Sequence, residues 1–249
     1  MSLPILIVLF FAILGAYSLV MSRAAGQVPP PQQRWHLASF TIGLLVTLAI
    51  FIPSPDLFGP DHRFSVSMGQ MLFALVLAPP LLLHGIPYAV IKSFLPDTSS
   101  QNRPPNLLLW GFISTVILCA WFIPVFFEAA SRNLPIWLVK QMLFLISGLI
   151  MWLPVMGIIP SWIHFQSRQL IYMAVMRLPM AFIGIILTFA NKLIYTSRSF
   201  ALEICAPSSL QDQQVGGLLM WVVGGWVLFA GFTILFIRWF KASESAEPQ

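Results

Sequence analysis

The stretch that decides the fold is SMGQMLFALVLAPPLLLHGIP, which runs from Ser67 to Pro87. It is almost wholly apolar, and its length of about 20 residues is what a helix needs to cross roughly 30 Å of hydrocarbon. Its interior carries Pro79 and Pro80, which lack a backbone N–H and therefore interrupt a helix. A bilayer tolerates such a break only where neighbouring helices supply partners for the freed carbonyls. The stretch therefore predicts a broken membrane helix packed inside a bundle.

The composition of the whole chain also indicates a membrane protein. Of its 249 residues, 58% are hydrophobic and 8% are charged, whereas about 25% of the residues in a soluble domain are charged. The net charge of +5 comes from Lys and Arg scattered between apolar runs, without the basic stripe that binds nucleic acid. We therefore expect an all-α integral membrane protein, with one domain over residues 1–249, a short polar tail at 241–249, the lipid bilayer as its surroundings and no nucleic-acid partner.

Apolar length and polar punctuation divide the chain into seven predicted membrane helices. Seven Lys and Arg residues fall on one side of these helices and four on the other, and two more fall inside spans. Because the side richer in Lys and Arg faces the cytoplasm, the C-terminus is predicted inside and the N-terminus outside. The predicted spans cover residues 3–21, 36–53, 66–91, 107–127, 135–159, 168–190 and 215–238, and prolines fall inside several of them.

Methionines near the start of the broken helix suggest a copper site. Met68 and Met71 stand three residues apart and so share a helix face, and thioethers are soft ligands that suit Cu(I). Gln70 lies between them as a further ligand. Core packing is the plainer explanation, because methionine fills irregular gaps beside a kink. The same explanation is favoured for a second row with helical spacing, Met173, Met176 and Met180.

The two basic residues inside predicted spans call for different explanations. Arg177 lies about nine residues into the sixth span, and an arginine facing lipid at such depth costs at least about 2.5–3.5 kcal/mol. We therefore expect it to face the bundle interior or a partner chain, with Asp212, Glu128 or a carbonyl freed by proline as its acceptor. Lys140 lies about five residues from the outer end of the fifth span, so snorkelling to the interface accounts for it.

The last predicted span is preceded by Asp212 and is rich in glycine. A carboxylate favours the positive end of a helix, so we expect Asp212 to cap this span. Small residues eight apart allow helices to approach closely, within the bundle or between subunits. These small residues are Gly216, Gly217, Gly224 and Gly225.

Neither the cysteines nor the histidines form a set that points to catalysis. Cys119 lies in an apolar run and Cys205 in a loop, so a disulfide is not expected. No nucleophile–base–acid set, phosphate-binding glycine loop or haem-attachment motif occurs. The chain is therefore predicted not to be an enzyme. The histidines are predicted at different depths, which opposes a shared metal site: His36, His62, His84 and His164.

Four motifs follow one another in a recognisable order: APPLLLHGIP, WFIP, SGLIMWLP and DQQVGGLLMW. In this order they resemble the patterns of the CtaG family of cytochrome c oxidase assembly factors, the type associated with caa-type oxidases. The resemblance covers about residues 35–238, and the last motif is the most specific. The residues that carry it are Pro79, Pro80, Gly85, Pro87, Trp121, Pro124, Trp152, Pro154, Asp212, Gln213, Gly217 and Trp221.

The resemblance implies a seven-helix protein of the bacterial cytoplasmic membrane that matures a haem-copper oxidase at the outer face. Oxidase subunits would be its partners and copper its cargo. Family members typically carry histidines in three places, and this chain has none there. His-Met-x-x-His becomes Ser67 to Met71, Trp-His-x-Pro becomes Trp121 to Pro124, and His-x-x-Glu-His becomes Trp137 to Gln141. Of the first pattern only Met68 is retained.

Three functions follow from these observations. The first is assembly of a cytochrome c oxidase, with copper delivery at the outer face. The main alternative is a non-catalytic accessory subunit of an oxidase or another membrane complex, which has kept the scaffold and lost metal binding. The third and least favoured is a transporter whose broken third span lines a path. A polar cavity beside that span would distinguish the third function.

Overall fold

Helices account for all the regular structure that the computed structural model describes, over residues 3–24, 30–52, 63–87, 106–156, 166–195 and 208–244. Two π-helical turns, Phe73–Leu77 and Leu219–Val223, join α3 to α4 and α9 to α10 without a gap. The helices are α1 Leu3–Ala24, α2 Pro30–Ile50, α3 Arg63–Leu72, α4 Ala78–Gly85, α5 Leu107–Trp121, α6 Pro124–Arg132, α7 Leu134–Trp152, α8 Gln166–Thr188, α9 Ser208–Leu218 and α10 Gly224–Glu244.

Apolar helices long enough to cross a bilayer indicate a multi-pass membrane protein. Counted over the described ranges, four helical segments qualify, and the bent pair α5 and α6 makes a fifth if it is one broken span. The all-helical class is thereby confirmed, whereas seven spans and the orientation of the termini stay predictions. The four segments are Phe64–Gly85, Leu134–Trp152, Ser167–Thr188 and Leu210–Lys241, and α1 adds a shorter apolar helix, Val8–Ser22.

The predicted span over residues 107–127, which has Pro124 inside it, is sharply bent in the structure. The chain turns by 68° between α5 and α6, and Pro124 is the first residue of α6, where its missing N–H costs no hydrogen bond. The Phe122 carbonyl at the bend accepts a hydrogen bond from the Tyr195 hydroxyl at 2.7 Å. Pro154 likewise does not lie inside a helix, because α7 ends at Trp152 and Pro154 is buried in the turn that follows.

The double proline interrupts the α-helical hydrogen bonding of the third span, but the chain continues through it as one helical segment, Phe64–Gly85, so the predicted break is only a local widening. Pro79 cannot donate to the carbonyl of Leu75, and the chain widens into the π-helical turn, in which the N–H of Ala78 donates to the carbonyl of Phe73. The freed Leu75 carbonyl accepts a hydrogen bond from the indole N–H of Trp152 at 3.0 Å. The motif SGLIMWLP of α7 therefore supplies a hydrogen-bond donor for the carbonyl that the prolines of APPLLLHGIP leave free.

A glycine lets α7 reach the break. A Cβ added to Gly148 would lie 2.6 Å from the Ala74 carbonyl oxygen and from Cγ of Pro79, closer than real contacts allow. The backbone of α7 therefore packs directly on the π-helical turn. Small side chains hold the neighbouring α5 in the same way, since the hydroxyls of Ser114 and Ser147 lie 2.7 Å apart and are both buried.

At the other end of this helix α4 packs against α2 and α1. A Cβ on Gly85 would come within 2.6 Å of Cβ of Phe40, and the Tyr17 hydroxyl donates to the Gly85 carbonyl. The ring of Tyr17 stacks on that of Phe40 with centroids 3.8 Å apart. Pro87 follows α4 and is buried. These contacts form a small cluster separate from the main core, so α1 lies at the edge of the bundle.

A small cavity lies beside the break, against α5 and α8. Its volume of about 20 Å³ has room for a single water. Leu75, Met151 and Met180 are among the mainly apolar residues that line it. A transport path needs a continuous polar lining, and this cavity in the described part of the chain gives the transporter hypothesis no support.

Candidate functional site

Two polar residues of the last motif, Asp212 and Gln213, lie at the end of the bundle where α3 begins, which we call the Asp212 end. The sequence predicts that Asp212 caps its own helix, and this prediction is wrong because Asp212 is already the fifth residue of α9. Its carboxylate instead accepts hydrogen bonds from the backbone N–H groups of Phe64, at 2.8 Å, and Ser65, at 3.2 Å. These are orphan donors in the first turn of α3. Asp212 therefore fixes the start of the broken helix from a distant part of the chain.

Gln213 fixes a second segment at the Asp212 end. Its side-chain oxygen accepts from the backbone N–H groups of Ile194, at 2.9 Å, and Tyr195, at 3.3 Å, and its amide donates to the carbonyl of Lys192. Tyr195 in turn donates to the bend after α5, and burial raises the pKa of its hydroxyl to about 12, so it stays a donor at neutral pH. Gln213 thus positions the segment that follows α8.

Lys140 of α7 lies in the core at the same end, and the prediction that it snorkels to the interface is wrong. Only 4% of its surface is exposed. Its ammonium donates to the Ser67 hydroxyl at 3.2 Å and lies 5.2 Å from the ring centroid of Phe127. Among the described residues no carboxylate forms an ion pair with it. A buried cation is therefore held by a hydroxyl and an aromatic face.

Two buried glutamines add acceptors to this region. Gln70 donates to the Ile52 carbonyl, and Gln141 donates to the Ile50 carbonyl at 2.8 Å, so both hold the end of α2. Within the described residues the side-chain oxygen of each glutamine is buried without a hydrogen-bond partner. The interior of the Asp212 end is therefore polar, and it contains one positive charge and two unused amide oxygens.

The candidate copper ligands are buried beside this polar cluster. Met68 is 2% exposed and Met71 is 1% exposed, and both belong to the main core. Met68 packs on α9, since a Cβ on Gly216 would lie 3.0 Å from its Cγ. Met68 directly follows Ser67, the acceptor for Lys140. The described residues contain no group of three or more His, Cys, Asp or Glu side chains that would hold a metal ion.

Arg177 lies on the outside of the bundle, so of its two predicted positions the interior is excluded and the contact with a partner chain stays a prediction. Its side chain is exposed, and Asp212, one of its expected acceptors, is engaged by the start of α3. The guanidinium rests on α10, because a Cβ on Gly225 would lie 3.1 Å from its Nη2. Within the described ranges it forms no hydrogen bond or ion pair.

Below the Asp212 end, α8 and α9 approach each other closely. A Cβ on Gly217 would lie 2.6 Å from the backbone nitrogen of Thr188 and 2.7 Å from the carbonyl of Gly184. The indole N–H of Trp221 donates to the Thr188 hydroxyl at 3.1 Å. The last two motif residues therefore hold α8 to the helix that carries Asp212.

Comparison with protein families identifies the chain. The model of the cytochrome c oxidase caa3 assembly factors, Caa3_CtaG, matches residues 15–242. The chain belongs to the Caa3_CtaG family. Membership confirms the resemblance drawn from the four motifs and indicates a non-catalytic role in assembly of cytochrome c oxidase. Comparison with curated proteins found no match, and comparison with solved structures found none either.

Two positions at which the sequence resemblance implies other residues are in contact in the fold. The resemblance implies a histidine at position 67 and a glutamate at position 140, and the residues present there, Ser67 and Lys140, bond directly. Gln141, for which the resemblance also implies a histidine, lies one residue further along α7 and is buried. Sequence reasoning missed the pairing of Ser67 with Lys140, although the aligned motifs contain both residues.

The histidines of this Caa3_CtaG chain are not all apart. The ring nitrogen Nδ1 of His36 lies 2.6 Å from the carbonyl oxygen of His84, and the ring centroids are 5.6 Å apart. This pair, whose members the sequence places toward the same side of the membrane, joins α2 to α4 at the end opposite Asp212. That all four histidines share no site stays a prediction. The other two histidines and Cys205 lie outside the described residues.

Proposed function

We propose that this chain assists the assembly of a haem-copper cytochrome c oxidase in the bacterial cytoplasmic membrane and acts through the Asp212 end. The distribution of Lys and Arg predicts that this end faces outward. The oxidase subunits are its partners, and the chain itself carries out no catalysis.

The observation that carries the proposal is that the family motifs meet one another in the fold. The most specific motif supplies Asp212 and Gln213, which fix the start of α3 and the segment after α8. The motif of α7 supplies Trp152 for the carbonyl freed by Pro79. Motifs that contact one another both at the Asp212 end and at the prolines of the third span support one shared architecture for a shared task.

Deletion of the gene tests assembly directly. We expect membranes of the deletion strain to lose oxidase activity and the absorbance of the oxidase haems, and to regain both when the intact chain is restored. An unrelated respiratory enzyme of the same membranes serves as the control. Normal oxidase content in the deletion strain would contradict the proposed function.

The alternative of a permanent accessory subunit is distinguished by stoichiometry. An assembly factor is bound to its client for a limited time, so mild detergent extraction should recover most of the chain free of mature oxidase. A subunit would instead co-purify in a fixed ratio with the other subunits. A fixed ratio of this chain to the other subunits in the active oxidase would favour the accessory subunit and contradict the assembly factor.

Copper delivery is a second candidate, and the burial of Met68 and Met71 on one helical turn favours it. The ammonium of Lys140 opposes a cation in the same region, because like charges repel more strongly where water is excluded. Purified chain titrated with Cu(I) under reducing conditions should bind the metal through these thioethers, and more tightly after Lys140→Leu, which removes the charge without adding a thioether. Met68→Leu combined with Met71→Leu should abolish binding, and Met173→Leu is the matched control. Absence of Cu(I) binding in both the unmodified chain and Lys140→Leu would exclude copper delivery.

A further inference from the structure

Arg177 lies at the middle of a membrane helix and on its outer surface. It is eleven residues from either end of α8 (Gln166–Thr188), a distance of about 16 Å along the helix axis. Ala174, one turn before it on the same face of α8, is also exposed, and Leu178 and Phe182 on the adjoining face are 63% and 68% exposed, as expected for a surface that meets lipid or another protein. A charged side chain at this depth needs an acceptor that the apolar part of the bilayer does not contain.

Among the described residues the chain supplies no such acceptor, since Arg177 forms no ion pair or hydrogen bond with them. The one carboxylate within the four described membrane segments is Asp212, which lies near the end of its segment, Leu210–Lys241, and is engaged by the start of α3. A second copy of the chain would bring another Arg177 and, among the described residues, no carboxylate at that depth. Lipid phosphates lie at the ends of the helix, and snorkelling brings a side chain to them only from near those ends.

The guanidinium of Arg177 lies over α10 at the outer surface. Gly225 is buried beneath it, and the missing side chain of Gly225 is what lets the guanidinium rest there. Trp226, the next residue of α10, is 68% exposed, and an aromatic side chain at the edge of this seam adds contact area for a partner.

We propose that the seam between α8 and α10 at Arg177 receives a transmembrane helix of an oxidase subunit that carries an Asp or Glu side chain at mid-membrane depth. This inference rests on the proposed function, which supplies the partner, and it adds the site and the chemistry of the contact. The carboxylate accepts two parallel hydrogen bonds from the guanidinium, the geometry in which arginine pairs most strongly.

Photocrosslinking in intact membranes tests the contact. A benzoylphenylalanine placed at Ala174 or Ala181, one turn on either side of Arg177, reports what covers the seam, and one at the exposed Phe112 of α5 is the control. We expect crosslinks from the two seam positions to an oxidase membrane segment containing Asp or Glu. Arg177→Leu should lower their yield more than about tenfold, and Arg177→Lys much less.

Exchange of the two charges gives the second measurement. Arg177→Glu should abolish the crosslink, and replacing the partner's carboxylic residue by arginine should restore it. Crosslinks only to lipid or to a second copy of the chain, or a yield unchanged by Arg177→Leu, would overturn the inference. If Arg177→Leu cells still assemble oxidase normally while deletion cells do not, this inference fails and the proposed function stands.

Discussion

Single side chains at the Asp212 end bind polar groups that have no partner within their own helix. Asp212 caps α3 through the backbone N–H of Phe64, which lies 148 residues earlier in the chain. Lys140 is held by Ser67 and by the ring of Phe127, without a counter-ion among the described residues. The stability of this end therefore depends on a few polar contacts in an apolar core.

Removal of the Lys140 charge should not destabilise the fold. A buried cation without a carboxylate pays a desolvation cost that one hydroxyl offsets only in part, so Lys140→Met should leave the free energy of unfolding unchanged or raise it by up to about 3 kcal/mol. Unfolding in detergent, followed by circular dichroism, measures this. Loss of more than about 1 kcal/mol would show that the ammonium is stabilising.

The effect of Ser67→Ala should depend on Lys140. With the lysine present, the buried donor loses its acceptor, and the change should cost about 1–3 kcal/mol. In the Lys140→Met background it should cost almost nothing. Equal costs in both backgrounds in a double-mutant cycle would contradict the pairing.

Asp212→Ala should lower the free energy of unfolding by about 1–2 kcal/mol, because two backbone N–H groups at the start of α3 lose their acceptor. The same unfolding measurement applies. Gln211→Ala is the matched control, since Gln211 is exposed on the same helix and its removal should change stability by less than about 0.5 kcal/mol. Similar losses in both variants would argue against capping.

At the scale of elements, the broken helix α3–α4 and α7 are fitted to each other. The break leaves a carbonyl that Trp152 satisfies, and Gly148 allows the two backbones to approach. Neither helix provides a complete surface alone. A change at the contact therefore affects both helices together.

Gly148→Ala should destabilise the bundle by about 1–3 kcal/mol, because its Cβ would overlap the carbonyl of Ala74 and the ring of Pro79. Gly69→Ala is the control, since no atom lies within 4 Å of the added Cβ. In the interior of α3 this control should be neutral or stabilising by about 0.5–1 kcal/mol. Equal effects on the unfolding midpoint would contradict the packing described for α7.

At the scale of the whole molecule, the sequence predicts the depth of a residue better than its direction. The all-helical class and the break at Pro79 follow from apolar length and from the chemistry of proline. Lys140 was expected to reach outward and is buried, whereas Arg177 was an interior candidate and is exposed. Apolar side chains occupy every face of α7 and α8, so no apolar stripe in the sequence marks the face that neighbouring helices cover.

Orientation in the membrane is open to a labelling experiment. The Lys and Arg count predicts that the loop containing Cys205 faces outside and the C-terminal tail inside. In a Cys119→Ser background, an impermeant maleimide should label Cys205 in intact cells. With Cys205→Ser and Ser243→Cys it should label the chain only after permeabilisation. The reverse pattern would invert the topology and place the Asp212 end in the cytoplasm.

The 68° turn between α5 and α6 affects the two lipid leaflets unequally. With α5 crossing the bilayer, α6 lies nearer to the membrane plane than to its normal, and Val125 and Phe126 are exposed on its outer side. Nine residues of helix cover about 13 Å by 10 Å, an area taken from one leaflet alone. If α5 runs along the bilayer normal, we therefore expect the protein to be wider in that leaflet and to favour membranes curved to accommodate a wedge, as interfacial helices do.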